Sequence, residues 1–243
     1  MRDVLTIAES TWKNILKMKV VYFLILCVWI LVGCMNRYGE ISMDRHRELM
    51  LDMSLLLNQI AVILCVLSLT FDIPRELREG IAAAFLTKSL GRTKYLLGKF
   101  IGVCIVATVV CTLIASGTYV IYINCFPGFP LLMTYAKIQS LILMSAVPMA
   151  AICVFFALIL PEMAAPVISL LGIWFSYQTG KLHIPVISGG ILPNLDFFNL
   201  REHVIYHADI PWSYLLCAAL WGLAFALFLM MLSGIIFQFK DIK

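Results

Sequence analysis

The chain has 243 residues, of which 62% are hydrophobic and 13% charged, and its formal net charge is +4. Soluble domains contain roughly 45–50% apolar and about 25% charged residues, so this composition, with a mean hydropathy of +0.97, excludes an ordinary soluble protein. The apolar runs are as long as membrane helices, which satisfy their own backbone hydrogen bonds in lipid. We therefore predict an all-α integral membrane protein with a single transmembrane domain over residues 1–243.

The first nineteen residues predict an amphipathic helix that lies along the membrane surface. Polar residues such as Ser10, Lys13 and Lys17 recur at steps of three and four, and apolar residues occupy the opposite face. We expect Trp12 at the level of the headgroups and both lysines facing phosphates. One alternative is a plain start to the first span. Another is a lipoprotein signal ending at Cys34, against which the long, partly acidic segment before the apolar run argues.

Six apolar runs predict six transmembrane helices, because a helix needs about 20 apolar residues to cross the hydrocarbon core. Their approximate bounds are 20–36, 53–71, 97–123, 131–160, 163–179 and 212–237. The fourth run contains Lys137 and Gln139. Lys137 either extends its ammonium to the membrane surface or lines a substrate path. Spans four and five are joined at Pro161 and Glu162, so these helices are expected to be antiparallel neighbours.

The lysines and arginines predict the orientation of the chain. With the N-terminus inside, twelve of the eighteen basic residues lie on the cytoplasmic side. An excess of Lys and Arg in cytoplasmic segments is the usual signal of membrane topology. Both termini are therefore expected in the cytoplasm, with the chain a multi-pass protein of the inner (cytoplasmic) membrane, and the net charge needs no nucleic-acid partner to explain it.

A charged segment, Phe71 to Phe100, separates the second and third apolar runs. Asp72 and Pro74 predict a helix start, because proline is tolerated in a first turn and an acidic side chain favours the positive end of the helix dipole. Arg75 and Glu79 have the spacing of an ion pair on one helix face. Three apolar residues at steps of four mark another face: Leu77, Ile81 and Phe85. The pattern predicts a short helix that enters a cleft on a cytoplasmic partner, or one that lies on the inner leaflet.

The four histidines fall on the outer side in this topology. His203 and His207 are four residues apart, so on a helix their imidazoles would share a face and could bind a metal, with His183 as a further candidate ligand. The alternative is an ordinary polar loop at the interface, since two histidines without a clear third ligand are a weak metal motif. Glycines and prolines between 180 and 193 favour a folded, partly re-entrant loop that could cap an exit path.

The catalytic motifs G-x-S-x-G, H-E-x-x-H and G-x-x-x-x-G-K-[ST] do not occur in the sequence. We therefore expect no enzymatic activity and no cofactor in this chain. If ATP drives its function, another chain hydrolyses it.

The order of motifs resembles the type-2 ABC transporter permeases, the membrane subunits of ATP-binding cassette exporters. Glu76 and Gly80 match the E-x-x-x-G after the second span, and G-K-F opens the third span at Gly98. The short turn at Pro161 and Glu162 is also similar to the family. Further matches extend to the end of the chain: Leu86, Lys88, Arg92, L-P-N-L-D-F-F-N at Leu192 to Asn199, and F-x-x-K-D at Phe237 to Asp241.

The resemblance implies that Pro74 to Lys88 is a coupling helix docked on a separate ATPase subunit that holds ATP and Mg, with a smaller contact at Pro161 and Glu162. It assigns eight residues to this contact: Arg75, Glu76, Arg78, Glu79, Gly80, Lys88, Arg92 and Glu162. It also implies pairing with a second permease, either an identical copy or a paralogue.

Two functions follow as expectations. The first is a permease whose dimer forms an export pathway driven by the ATPase. The alternative is a membrane scaffold that recruits a cytoplasmic partner without transport. The substrate is left open by the sequence, because nearly every helix face is apolar and the pathway-lining residues cannot be identified.

Overall fold

The computed structural model describes residues 2–17, 19–38, 46–80, 91–126, 132–179, 194–201 and 210–239. These ranges contain seven α-helices: α1 (Arg2–Leu16), α2 (Lys19–Tyr38), α3 (His46–Arg78), α4 (Arg92–Cys125), α5 (Leu132–Ile159), α6 (Ala164–Gln178) and α7 (Trp212–Phe239). A 3₁₀ turn, Leu195–Phe198, follows α6. No strand occurs in the described part of the chain, so the all-α prediction is confirmed there.

Among the described residues, four helices are long and apolar enough to cross a membrane: α3, α4, α5 and α7. A fifth crossing is obtained if α1 and α2, which meet at a 56° bend, count together as one broken span. Helix α6 has 15 residues and rises about 22 Å, which is less than the hydrocarbon core of about 30 Å. The helices fit a multi-pass membrane protein, and the count of six spans stays a prediction.

Helices α3 and α5 form the centre of the bundle. Helix α5 packs against α3, α4, α6 and α7, and it is the most buried of the four long helices. Helix α7 is the most exposed of the four and presents a row of apolar side chains that includes Leu216, Leu220 and Leu227. An exposed apolar face is expected where lipid replaces water as the solvent.

Helices α1 and α2 pack closely against α4 at three of its glycines. A Cβ atom at Gly98 would lie 2.7 Å from Ile7 Cβ, and one at Gly102 would lie 2.8 Å from Thr11 Cβ. At Gly117 the same atom would lie 2.3 Å from the indole nitrogen of Trp29. These contacts are too close for any side chain on α4, so the absence of a Cβ is what permits the helices to approach.

Helix α3 continues through Pro74 and ends at Arg78, which corrects the prediction of a new helix starting at Asp72 and Pro74. Gly80 follows with φ of 71°, a conformation that glycine adopts without the steric penalty of a Cβ, and it stops the helix there. The first turns assigned to the coupling helix therefore belong to α3. The remainder of that assignment, from 81 to 88, lies outside the described residues.

The 3₁₀ turn lies inside the bundle. Leu195 and Phe198 are buried, and a Cβ at Gly222 of α7 would lie 3.0 Å from the Phe198 ring. The Asn194 side chain accepts a hydrogen bond from the Asp196 amide and caps the turn. Residues 180–193, the larger part of the predicted re-entrant loop, lie outside the described residues.

Candidate functional site

The charged residues highlighted by the sequence meet where α3 ends, α4 begins and α5 turns into α6. We call this region the charged end. It comprises Asp72, Arg75, Glu76, Arg78, Glu79, Arg92, Lys99 and Glu162. Arg75, Glu76 and Arg78 belong to the last turn of α3, and Glu79 follows it directly. Arg75 and Glu79 share one side of the helix, whereas Glu76 and Arg78 point in other directions.

Glu76 points inward between α3 and α4. One carboxylate oxygen accepts a hydrogen bond from the Lys99 ammonium, and the other accepts one of 2.5 Å from the Tyr95 hydroxyl. The Lys99 side chain is 4% exposed and that of Glu76 is 18% exposed. A buried charge needs a partner of opposite charge, so this pair fixes the rotation of α3 relative to α4. Glu76 consequently presents little of its carboxylate to any other protein.

Arg75 and Glu79 lie on the outside of the same turns. Arg75 Nε is 3.0 Å from Glu79 Oε1, which agrees with the predicted ion pair, and their side chains are 61% and 39% exposed. Both can reach a partner that approaches the charged end.

Arg78 joins the end of α3 to the turn between α5 and α6. Its Nη1 atom lies 2.5 Å from Glu162 Oε2, and the Arg78 side chain is 68% exposed. The turn itself is closed by the carbonyl of Pro161, which accepts hydrogen bonds from the amides of Ala164 and Ala165 at 3.0 Å each. The two segments that the resemblance assigns to separate contacts thus form one continuous surface.

Arg92 turns away from that surface. Its Nη1 atom donates hydrogen bonds of 2.8 Å to the carbonyls of Phe237 and Gln238 at the end of α7. The guanidinium carbon lies 5.8 Å from the centre of the Phe237 ring, which stacks on Tyr95 at 6.1 Å. Since the last carbonyls of a helix have no partner within it, Arg92 acts here as a cap for α7.

Lys88 lies outside the described residues, and Gly80 contributes the end of α3 rather than a side chain.

No protein-family model and no curated relative matches the chain.

The residues predicted to contact the membrane surface belong to α1. Lys13 Nζ lies 2.6 Å from Glu9 Oε1, and this hydrogen bond, together with the lysine charge, lowers the pKa of the exposed Glu9. Lys17 is exposed, whereas Trp12 is partly buried against the core. The buried side of α1, which includes Ile7 and Ile15, packs on α4, so the position of α1 relative to lipid stays a prediction.

The candidate metal ligands His203 and His207, and also His183, lie outside the described residues. Within the ranges that are described, no group of three or more His, Cys, Asp or Glu side chains is arranged to hold a metal ion.

Lys137 lies near the start of α5 and contacts the segment that precedes α7. Its side chain is buried, and Nζ donates a hydrogen bond of 2.8 Å to the Ile210 carbonyl. The same ammonium lies 5.2 Å from the centre of the Trp212 ring. These contacts satisfy the charge by a carbonyl dipole and an aromatic face, which makes Lys137 a structural link between α5 and α7.

A polar pair, Asn58 and Gln139, lies in the middle of the bundle and was not predicted as a site. Asn58 of α3 donates from Nδ2 to Gln139 Oε1 of α5, and the same Nδ2 atom lies 3.3 Å from the Cys111 sulfur. Asn58 Oδ1 and Gln139 Nε2 are buried and have no hydrogen-bond partner among the described residues. Gln139 was visible in the sequence as a polar residue within a span, but its neighbours depend on helix rotation, which hydropathy does not determine.

Proposed function

We propose that the chain is the membrane subunit of an ATP-driven exporter, with six spans and with α1 along the inner surface. Both termini lie in the cytoplasm, as the excess of basic residues favours. Two copies, or this chain and a paralogue, form the pathway in the cytoplasmic membrane. A separate ATP-binding subunit, which holds ATP and Mg, drives transport.

The contact between Arg78 and Glu162 carries the proposal. It joins the end of α3 and the turn between α5 and α6 in one exposed patch, and these are the two segments that the resemblance assigns to the ATPase. The adjacent Arg75 and Glu79 add two exposed charges of opposite sign to the same patch. A partner with complementary charges would be oriented by this arrangement, because like charges brought together at an interface cost several kcal/mol.

A charge exchange tests the proposal. The variant R75E/E79R retains the ion pair and the net charge. It exchanges the positions of the positive and the negative charge that a partner would meet. Tagged protein is purified from native membranes in mild detergent, and ATP hydrolysis by the eluate is measured. We expect the parent to co-purify with an ATPase and the variant to lose at least about tenfold of that activity, since tenfold corresponds to about 1.4 kcal/mol of binding.

The matched control is the exchange E9K/K13E on α1, which reverses another exposed pair with the same spacing. It should retain the ATPase. Equal loss in both variants, or no loss in either, would contradict the assignment of the patch. A soluble protein that co-purifies without ATP hydrolysis would instead support the scaffold function.

A further inference from the structure

The amide pair Asn58 and Gln139 is enclosed where α3, α4 and α5 meet. Asn58 is fully buried and Gln139 is 7% exposed. Asn58 Nδ2 donates a hydrogen bond to Gln139 Oε1 and lies 3.3 Å from the Cys111 sulfur, which is 4.0 Å from the same Oε1 atom. Each of the three helices thus contributes one side chain to a small polar cluster that is largely shielded from lipid and from bulk water.

One end of each amide has no partner. Asn58 Oδ1, an acceptor, and Gln139 Nε2, a donor, are both buried and make no hydrogen bond to any described residue. Buried side-chain amides are usually hydrogen-bonded, because burial removes the water that they bind in the unfolded chain. The cluster therefore presents one acceptor and one donor to a molecule that can both donate and accept.

Exchanging the oxygen and nitrogen positions of the amides does not pair both ends. If those of Asn58 alone are exchanged, two acceptors meet, and if those of Gln139 alone are exchanged, two donors meet. Exchanging both restores one hydrogen bond but leaves Asn58 Nδ2 and Gln139 Oε1 without each other. The Cys111 sulfur, which lies beside Asn58 Nδ2, favours the orientation that the structure shows. An additional molecule can bond to both remaining ends.

We propose that this cluster binds one water molecule, which accepts a hydrogen bond from Gln139 Nε2 and donates one to Asn58 Oδ1. Internal waters typically make about 2–4 hydrogen bonds to buried polar groups that lack other partners. A larger molecule does not fit this role, because neither atom is accessible from the protein surface. The water adds a second polar link between α3 and α5. The site depends on these two helices and not on the transport proposal, so either can fail without the other.

Proton-detected solid-state NMR of the purified chain in lipid bilayers tests this site. Selective ¹⁵N labelling of glutamine side chains gives a simple spectrum, because the chain has four glutamines: Gln59, Gln139, Gln178 and Gln238. The Gln139 signal is identified by its loss in Gln139→Leu. We expect a cross-peak between the Gln139 amide protons and water protons. The exposed Gln238 should show the same cross-peak and serves as the positive control.

Two variants separate bound water from other sources of that cross-peak. Asn58→Leu removes the acceptor Oδ1 and should abolish the cross-peak of Gln139. Tyr135→Phe is the control, because the Tyr135 hydroxyl lies one turn before Gln139 on α5 and its proton can relay magnetisation by exchange with water. In the parent this hydroxyl is bonded to Thr118 at 2.7 Å. The cross-peak should keep its full intensity in Tyr135→Phe.

Three results would overturn the proposal. Gln139 without a water cross-peak, in a spectrum where Gln238 has one, would show that no water is held at the amides. Loss of the cross-peak in Tyr135→Phe would assign the signal to the hydroxyl. An undiminished cross-peak in Asn58→Leu would show that Asn58 Oδ1 is not a partner of the water. If Asn58→Leu does not fold, the spectra of the parent and of Tyr135→Phe still decide the question.

Discussion

The two halves of α4 differ in how closely neighbouring helices pack against them and in how completely the nearby buried polar groups are paired. In the first half, Lys99 is buried with Glu76, and Gly98 and Gly102 let α1 approach until backbone and side chain touch. Beside the second half a groove lies between α4 and α5, although Thr118 and Tyr119 still contact Tyr135. There Gln139 Nε2 of α5 has no hydrogen-bond partner among the described residues. The polar group at the first half of α4 is thus paired, and the one near its second half is incompletely paired.

The difference reflects the cost of burying charge. An unpaired ammonium or carboxylate is far more costly away from water than a neutral amide, so the charged half must be paired to be stable. A neutral amide can be left without a partner at a cost of about 1–3 kcal/mol. The stability of the bundle can therefore tolerate incomplete pairing of these amides.

The largest effect is expected at Lys99. Lys99→Met leaves the Glu76 carboxylate buried without its cation, and removing one partner of a buried ion pair costs about 3–5 kcal/mol. The midpoint of thermal denaturation of the purified protein should fall accordingly. The double variant K99M/E76Q removes both charges and keeps an acceptor for Tyr95, so it should recover most of the loss. A single variant as stable as the parent would show that the pair does not hold α3 and α4 together.

Gly102→Ala should have an intermediate effect. The added Cβ would lie 2.8 Å from Thr11 Cβ and 3.0 Å from the Ala8 carbonyl oxygen, and such overpacking typically costs about 1–3 kcal/mol. Thermal denaturation measures the cost, and limited proteolysis should show α1 more readily cleaved. Gly33→Ala is the control, because nothing lies within 4 Å of a Cβ at that position. Equal stability of the two variants would contradict the tight packing of α1 on α4.

The smallest loss of stability is expected when the amides of Asn58 and Gln139 are replaced together. Asn58→Leu alone leaves Gln139 Oε1 with only a long contact of 4.0 Å from the Cys111 thiol and should cost about 1–3 kcal/mol. The double variant N58L/Q139L removes both polar groups and should return close to the stability of the parent, as measured by thermal denaturation. If the double variant were the less stable of the two, the amide pair would be a net stabilising contact, and the contrast between the halves would disappear.

The helices and the charged segment follow from the sequence, but their contacts do not. Apolar runs locate the long helices, and the i, i+4 spacing correctly pairs Arg75 with Glu79. The prediction of a helix start at Pro74 was wrong. The local preference of proline for a first turn is outweighed by a continuous α3, which brings Glu76 opposite Lys99. Neither that pair nor Asn58 with Gln139 is predictable, since each depends on the rotation of helices that are apolar on almost every side.

The three glycines on α4 also determine the order in which the protein can assemble. The N-terminal helices leave the ribosome first, but the surfaces that receive Ile7, Thr11 and Trp29 are at Gly98, Gly102 and Gly117. The α1 and Trp29 contacts therefore have to wait until α4 has been synthesised and inserted. During translation the N-terminal segment lacks its packing partner. Insertion of α4 provides the surface on which α1 and Trp29 pack.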